Sequence, residues 1–297
     1  MSSNIHFAQT LLTGLCATLL GSCALVQPTP SEIPVDSVTI TDSLGRKITV
    51  GHRPRRIVSL AASNTEIIFA IGAGDHLVGR DEFSDHPPEA MKVENIGTLY
   101  PRVNSEVLVK LKPDLVLAAG ITSPEDVITL ANLGITVYTT SFAATLDDIY
   151  SDIQSIGKLT GKTEAARELV NEMQERVRAV EILTANATEH PTVFYEIDAT
   201  EPSKPWTAGP GSFIDLLITT AGGRNVGASS GQSYWQISLE QLVQQDPQLI
   251  VLGSNKYGGQ TPELVAKRYG WDQIRAVTSG NVHKFDDDLV SRPGPRI

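Results

Sequence analysis

The chain has 297 residues, of which 41% are hydrophobic, and 34 acidic residues against 24 basic ones give a formal net charge of −10. That length can bury a large core with room for two compact lobes, and the acidic balance without a basic patch argues against a nucleic-acid partner. Both cysteines, Cys16 and Cys23, lie near the start, which excludes thiol catalysis, zinc–cysteine sites and a disulfide framework from the body of the chain.

In chain order, Leu11 to Leu20 is mostly apolar, too short to span a bilayer and long enough for the core of a signal peptide. It runs into Leu20-Gly21-Ser22-Cys23, which resembles a bacterial lipobox, so residues 1–22 read as a signal peptide and Cys23 as a lipidation site. Residues 23–37, with Gln27-Pro28-Thr29-Pro30-Ser31, read as a flexible tether. The first ten residues lack the Lys or Arg expected of such a leader.

Beyond the tether, Val38-Thr-Ile-Thr and Lys47-Ile-Thr-Val flank Asp42-Ser-Leu-Gly45 and predict a hairpin. Arg56 to Leu60 predicts a strand. Ser63 and Glu66 have the spacing of a capping box opening a helix that ends at Gly72. A short strand at Leu77 follows, then alternation: strand Asp114–Ala118, helix Pro124–Leu133, strand Thr136–Thr140, helix Leu146–Leu159. Strands alternating with helices predict a parallel sheet covered by helices.

One phrase occurs twice. Glu-x-Leu-Val-x-x-x-Pro-x-Leu, followed by two aliphatic residues, starts at Glu106 and again at Glu240, an offset of 134 residues. Asn104 and Ser238 precede the two copies as helix caps, so each reads as a short capped helix, a proline stop and an apolar strand. A period near half the chain predicts two similar lobes rather than a stacked array.

Between the copies, Lys162 to Ala187 predicts the longest helix. Ala165, Leu169, Met173, Val177 and Val180 form one apolar stripe, and the mid-chain position suggests a strut between lobes. The second half opens with strand Thr192–Ile197. A Pro-rich loop, a helix over Ser212–Thr220, the second copy of the phrase, a short helix near Thr261–Arg268 and a strand at Val282–Phe285 follow.

From Val38 onward the sequence resembles the periplasmic binding proteins of cobalamin and iron-siderophore importers. The motifs that carry the resemblance are Arg56-Ile-Val-Ser-Leu with Asn64-Thr-Glu66, Phe83-Ser-Asp-His-Pro-Pro88, Leu111-Lys-Pro-Asp-Leu-Val116, Thr207-Ala-Gly-Pro-Gly211 and Ala221-Gly-Gly-Arg-Asn225. The resemblance implies an α/β fold of two Rossmann-like lobes joined by a single long helix, the class III arrangement, with a ligand cleft between lobes. The lobes are expected at 38–160 and 191–297, with 161–190 as the interlobe helix. It further implies that Glu106 and Glu240 dock into arginines of a dimeric ABC permease; the alternative is that each carboxylate only complements its helix dipole. Members of that family continue past Arg292-Pro-Gly-Pro-Arg296 into a final helix, so stopping at Ile297 implies a truncated sequence or an uncovered apolar patch.

By position Phe83, Tyr100, Trp206, Tyr234 and Trp235 are expected in the cleft, as aromatic walls for a large ring; some could instead pack beneath loops. Arg80 and Arg292 are the candidates for holding an anionic ferric chelate. The expected protein is thus a monomeric extracytoplasmic lipoprotein, lipid-anchored to the membrane, that delivers a corrinoid to a permease. A ferric-siderophore or haem binder is the alternative, a metal-dependent hydrolase a distant one, and a purely structural surface lipoprotein the last. No catalytic residue, metal site or resident cofactor is assigned. His86 with Asp81, Glu82 and Asp85 reads as one polar loop, and Asp286–Asp288 as a turn rather than a calcium loop. Ser212 lacks the Gly-x-Ser-x-Gly setting of a hydrolase.

Overall fold

β1 (Val38–Thr41) and β2 (Lys47–Val50) pair antiparallel as the predicted hairpin. Asp42 closes its turn by accepting the Leu44 and Arg46 amides, and Gly45 takes the left-handed conformation there. The computed structural model describes residues 37–297; the expected signal peptide, Cys23 and residues 23–36 of the expected tether lie outside the described residues.

The first lobe is built on a four-stranded parallel sheet of order β4-β3-β5-β6, from β3 (Ile57–Ser59), β4 (Leu77–Arg80), β5 (Leu115–Ala118) and β6 (Val137–Thr139). The crossovers carry α1 (Ala62–Ala70), α2 (Ser105–Leu111) and α3 (Pro124–Asn132). α4 (Leu146–Thr160) follows β6. Because helices cover both faces, the strands are buried along their length rather than alternating between buried and exposed residues. Ile57, Leu115 and Leu117 face a core shared with Ile67, Ile153, Ile156 and Met173. Val58, Val116 and Ala118 face the opposite core with Leu108, Val127 and Leu130.

α5 (Thr163–Ala185), at about 1.5 Å per residue, reaches roughly 34 Å and leads into the second lobe. Its buried stripe is Ala166, Val170 and Met173, packed against α4, with Ala165 and Leu169 partly buried beside it. The predicted stripe held for its first half only: Val180 is exposed, as are Ile182 and Leu183 on the last turns.

The second sheet has the order β10-β8-β7-β11-β12, with β9 (Arg224–Asn225) beside β7. β7 (Thr192–Asp198), β11 (Leu249–Leu252) and β12 (Val282–Lys284) run parallel, as β3, β5 and β6 do in the first lobe. β8 (Trp206–Ala208), paired to β7, and β10 (Tyr234–Gln236), at the sheet edge beside β8, add antiparallel strands, which the first lobe's sheet lacks. α6 (Phe213–Thr220) has Ser212 as its cap, α7 (Leu239–Gln245) has Ser238, and the short α8 (Asn255–Gly258), α9 (Pro262–Val265), α10 (Arg275–Thr278) and α11 (Asp288–Ser291) complete the lobe. Phe213 of α6 enters the first-lobe core, and Ile297 packs against the same core. Among the described residues no helix is long and apolar enough to cross a membrane.

The twofold phrase is structural in every part. α2 and α7 are each capped by the predicted residue, Asn104 accepting the Val107 amide and Ser238 the Gln241 amide. Each helix ends on a left-handed residue, Lys112 (φ 47°) and Asp246 (φ 43°), the two non-glycine residues with positive φ among those described. Each is followed by proline and a central strand.

Candidate functional site

In open α/β sheets, ligands bind outside the carboxyl ends of the strands, where loops diverge. In the first lobe those loops carry exposed Phe83 after β4, Ile121 after β5 and Phe142 after β6. Tyr100, on the segment between β4 and α2, is 83% exposed. In the second lobe the loop after β11 carries exposed Tyr257. Trp206 opens β8 opposite Asp198, the carboxyl end of β7, and is also exposed. Exposed large side chains therefore gather at one end of both sheets. Ile121, Phe142 and Tyr257 are absent from the sequence expectations, because nothing in their neighbours separates a ligand-facing aromatic from a loop-packing one.

The two lobes meet here through an ionic network centred on buried Arg292 and Asp288. Arg292 donates to Asp85 of the first lobe at 2.5 Å, lies 3.1 Å from Asp288 and donates to the Tyr257 hydroxyl at 3.0 Å. Asp288 is also held by Lys256 and accepts the Tyr257 hydroxyl at 2.8 Å. Further along, Arg296 makes a bidentate bond to Glu66 at 2.6 and 2.7 Å. Burial raises the Asp85 carboxyl, but the Arg292 hydrogen bond and charge, with Lys256 behind them, outweigh it and hold its pKa below the usual range. This corrects the sequence reading of Glu66. α1 begins after Ala61 with no side-chain cap, and Glu66, one turn in, faces Arg296 instead of reaching back to Ser63.

Arg80 does not reach the site. It is 3% exposed, and its guanidinium donates to the carbonyls of Ala90, Asp81 and Glu82, so it fastens the loop behind Phe83. Arg292 does lie at the junction, but its charge is already matched by Asp85 and Asp288. Trp235 is likewise corrected. It is a strand residue rather than a loop one, its indole donates to the Gly227 carbonyl at 3.0 Å, and it packs on the core of Phe194 and Trp271. Tyr234, its neighbour on β10, points to the opposite sheet face with Ala208. Burial, then the nearby Asp287 carboxylate, raises its phenol pKa. Trp206 and Tyr234 were also expected in loops; both lie on antiparallel strands that the surrounding Gly and Pro conceal.

The carboxylates of the His86 loop are engaged elsewhere. Asp81 accepts from the Phe83 amide and the Ser84 hydroxyl, and burial raises its pKa. Asp287 accepts the Tyr195 hydroxyl at 2.8 Å, and Asp288 belongs to the ionic network. Among the described residues, no three His, Cys, Asp or Glu side chains converge as metal ligands.

Glu106 and Glu240 are exposed, each the second residue of its helix, and neither makes an ion pair among the described residues. α2 runs antiparallel to β5, so Glu106 stands at the carboxyl end of the sheet, on the side where the aromatic loops lie.

A family model described as periplasmic binding protein matches residues 57–289. An uncharacterized ABC transporter substrate-binding lipoprotein, YvrC of Bacillus subtilis, is 35% identical over 88% of this chain and 82% of its own length. A cobalamin-binding protein of Halobacterium salinarum is 30% identical over 98% of this chain and 81% of its own. Among solved structures, the periplasmic heme-binding protein RhuT from Roseiflexus sp. RS-1 superposes with a TM-score of 0.73 at 26% identity, covering 82% of this chain and 93% of that one.

Proposed function

The chain belongs to the periplasmic binding protein family, and from that membership we propose that it captures a corrinoid between its lobes and delivers it to the permease of an ABC importer. On this reading residues 1–22 are a signal peptide, Cys23 carries the lipid anchor, and 23–37 tether a body whose lobes, 38–160 and 191–297, are joined by 161–190. Phe83, Tyr100, Trp206 and Tyr234 supply the ligand walls, and Glu106 and Glu240 contact the permease.

The state of the arginines carries the choice of ligand. An anionic chelate needs cations in the cleft whose charge is not yet spent, whereas Arg80 is bonded to carbonyls and Arg292 to two carboxylates. The large apolar side chains exposed at the strand ends are aromatic and aliphatic, which suits the faces and edges of a large ring. The cobalamin-binding relative supports this reading. Haem is the second reading: the likeness to a heme-binding structure favours it, and Tyr257 offers an exposed aromatic ring at the junction.

Tryptophan fluorescence during titration with cyanocobalamin, hemin and a ferric siderophore separates the readings. Saturable one-to-one quenching by cyanocobalamin is expected. Trp206→Ala should weaken it about tenfold or more, as for an aromatic anchor. Trp235→Phe should leave affinity close to the parent's. A response to hemin or the siderophore alone would overturn the corrinoid assignment.

A further inference from the structure

We propose that a recess at the foot of the first lobe binds the phosphate-bearing headgroups of an anionic phospholipid surface, holding the undocked protein with its strand-end loops turned away from the bilayer. The recess has a volume of about 260 Å³ and lies where β2 leaves the hairpin and α4 passes into α5. His52, Arg53 and Lys158 line it together with Ser37, Gly161 and Thr163, and no carboxylate is among its lining residues. None of the three basic side chains has an acidic partner among the described residues, in a chain of net charge −10. Arg53 lies over the end of α4, so close that a Cβ on Gly161 would sit 2.8 Å from its Nε. Cations gathered without counter-charge from the described residues, on an acidic body, are the electrostatic footprint of an anionic partner.

Topology selects the membrane as that partner. Ser37, where the described chain begins, lines the recess itself. Ser37 is fourteen positions beyond Cys23, a reach of at most about 50 Å, so the proposed anchor keeps this pole near the bilayer. His52 and Arg53 precede β3, and Lys158 ends α4, which places the recess at the amino ends of the parallel strands. Glu106 and the aromatic loops lie at the carboxyl ends. One pole therefore rests on lipid while the other samples solution, and the protein must leave the surface before Glu106 can meet a permease. The membrane assignment rests on the anchor proposed at Cys23; the anion site does not depend on which ligand fills the cleft.

The test is cosedimentation of the full chain carrying Cys23→Ser with vesicles of phosphatidylcholine, alone or mixed with phosphatidylglycerol. Binding should require phosphatidylglycerol and weaken with salt. Each basic side chain removed should lower partitioning roughly fivefold, so Arg53→Glu with Lys158→Glu should lower it by at least about twentyfold. The same charge change made on exposed Lys204 and Lys267 of the second lobe should leave it near the parent's. Equal binding to both vesicle types, or equal loss from the two charge reversals, would overturn the proposal. So would saturable, Arg53-dependent binding of free glycerol phosphate without vesicle preference, which would reassign the recess to a soluble phosphate. An unchanged cyanocobalamin titration of the Arg53→Glu/Lys158→Glu variant verifies its fold, and where corrinoid binding itself fails, circular dichroism serves instead.

Discussion

Asp152, on α4, turns its carboxylate onto the loop after β6, accepting the Ser141 amide at 3.0 Å and its hydroxyl at 2.6 Å. Burial outweighs these bonds and raises its pKa to about 6. The folded state therefore holds this proton more tightly than the unfolded chain does. The stabilisation is fully present below the ordinary aspartate range and is lost as pH rises through 6, at most about 3 kcal/mol across that window. Urea unfolding from pH 4 to 8 should show this slope, and Asp152→Asn should flatten it while remaining at least as stable as the parent at pH 8. An unchanged slope in the variant would show that another group is responsible. Single residues are also where sequence reading was weakest. Glu66 has the spacing of a capping residue and is the partner of an arginine 230 residues away. Arg80 has the look of a ligand arginine and serves backbone carbonyls. Neither assignment could be read locally, because a side chain's partner is set by the tertiary approach of another segment.

At the scale of elements the twofold phrase was legible in full: cap, helix, proline stop and strand all fall where the pattern places them. Its unread detail is the left-handed residue at each helix end. Lys112 bears that strain with only its backbone engaged, its amide donating to the Val109 carbonyl and its carbonyl accepting from Arg56. Lys112→Gly should thus be neutral or stabilise by up to about 1 kcal/mol. Asp246 has the same conformation but also accepts the Arg275 amide at 2.7 Å and pairs with its guanidinium at 2.9 Å. Asp246→Gly should destabilise by about 1–2 kcal/mol. Chemical denaturation of the two variants is expected to give shifts of different sign; a loss of equal size in both would refute the account. β8 and β10 were missed for the converse reason. Three-residue strands among Gly, Pro and Ser carry no periodic signal, and only the pairing of β8 to β7 and of β10 to β8 makes them strands.

For the whole molecule, the decisive feature is the pair of matched carboxylates, Glu106 and Glu240, at equivalent places on the two lobes. Replacing Glu106 or Glu240 with Lys should lower uptake in cells by at least about tenfold while leaving the ligand titration unchanged, since each charge stands outside the proposed cleft. Parallel loss of ligand affinity would mean the carboxylates act within the binding site instead. By itself the sequence determined the alternation of strands and helices, the repeat that makes two lobes and the exposed acidic ends of α2 and α7. Each of these rests on local periodicity or on a helix cap, which neighbouring residues specify. The tertiary structure alone decided that Arg292 and Arg296 tie the C-terminal segment to Asp85 and Glu66, that Trp235 belongs to a core, and that His52, Arg53 and Lys158 share one recess. Those facts depend on segments far apart in the chain being brought together by burial of the two sheets, and a linear pattern carries no record of which distant residues will meet.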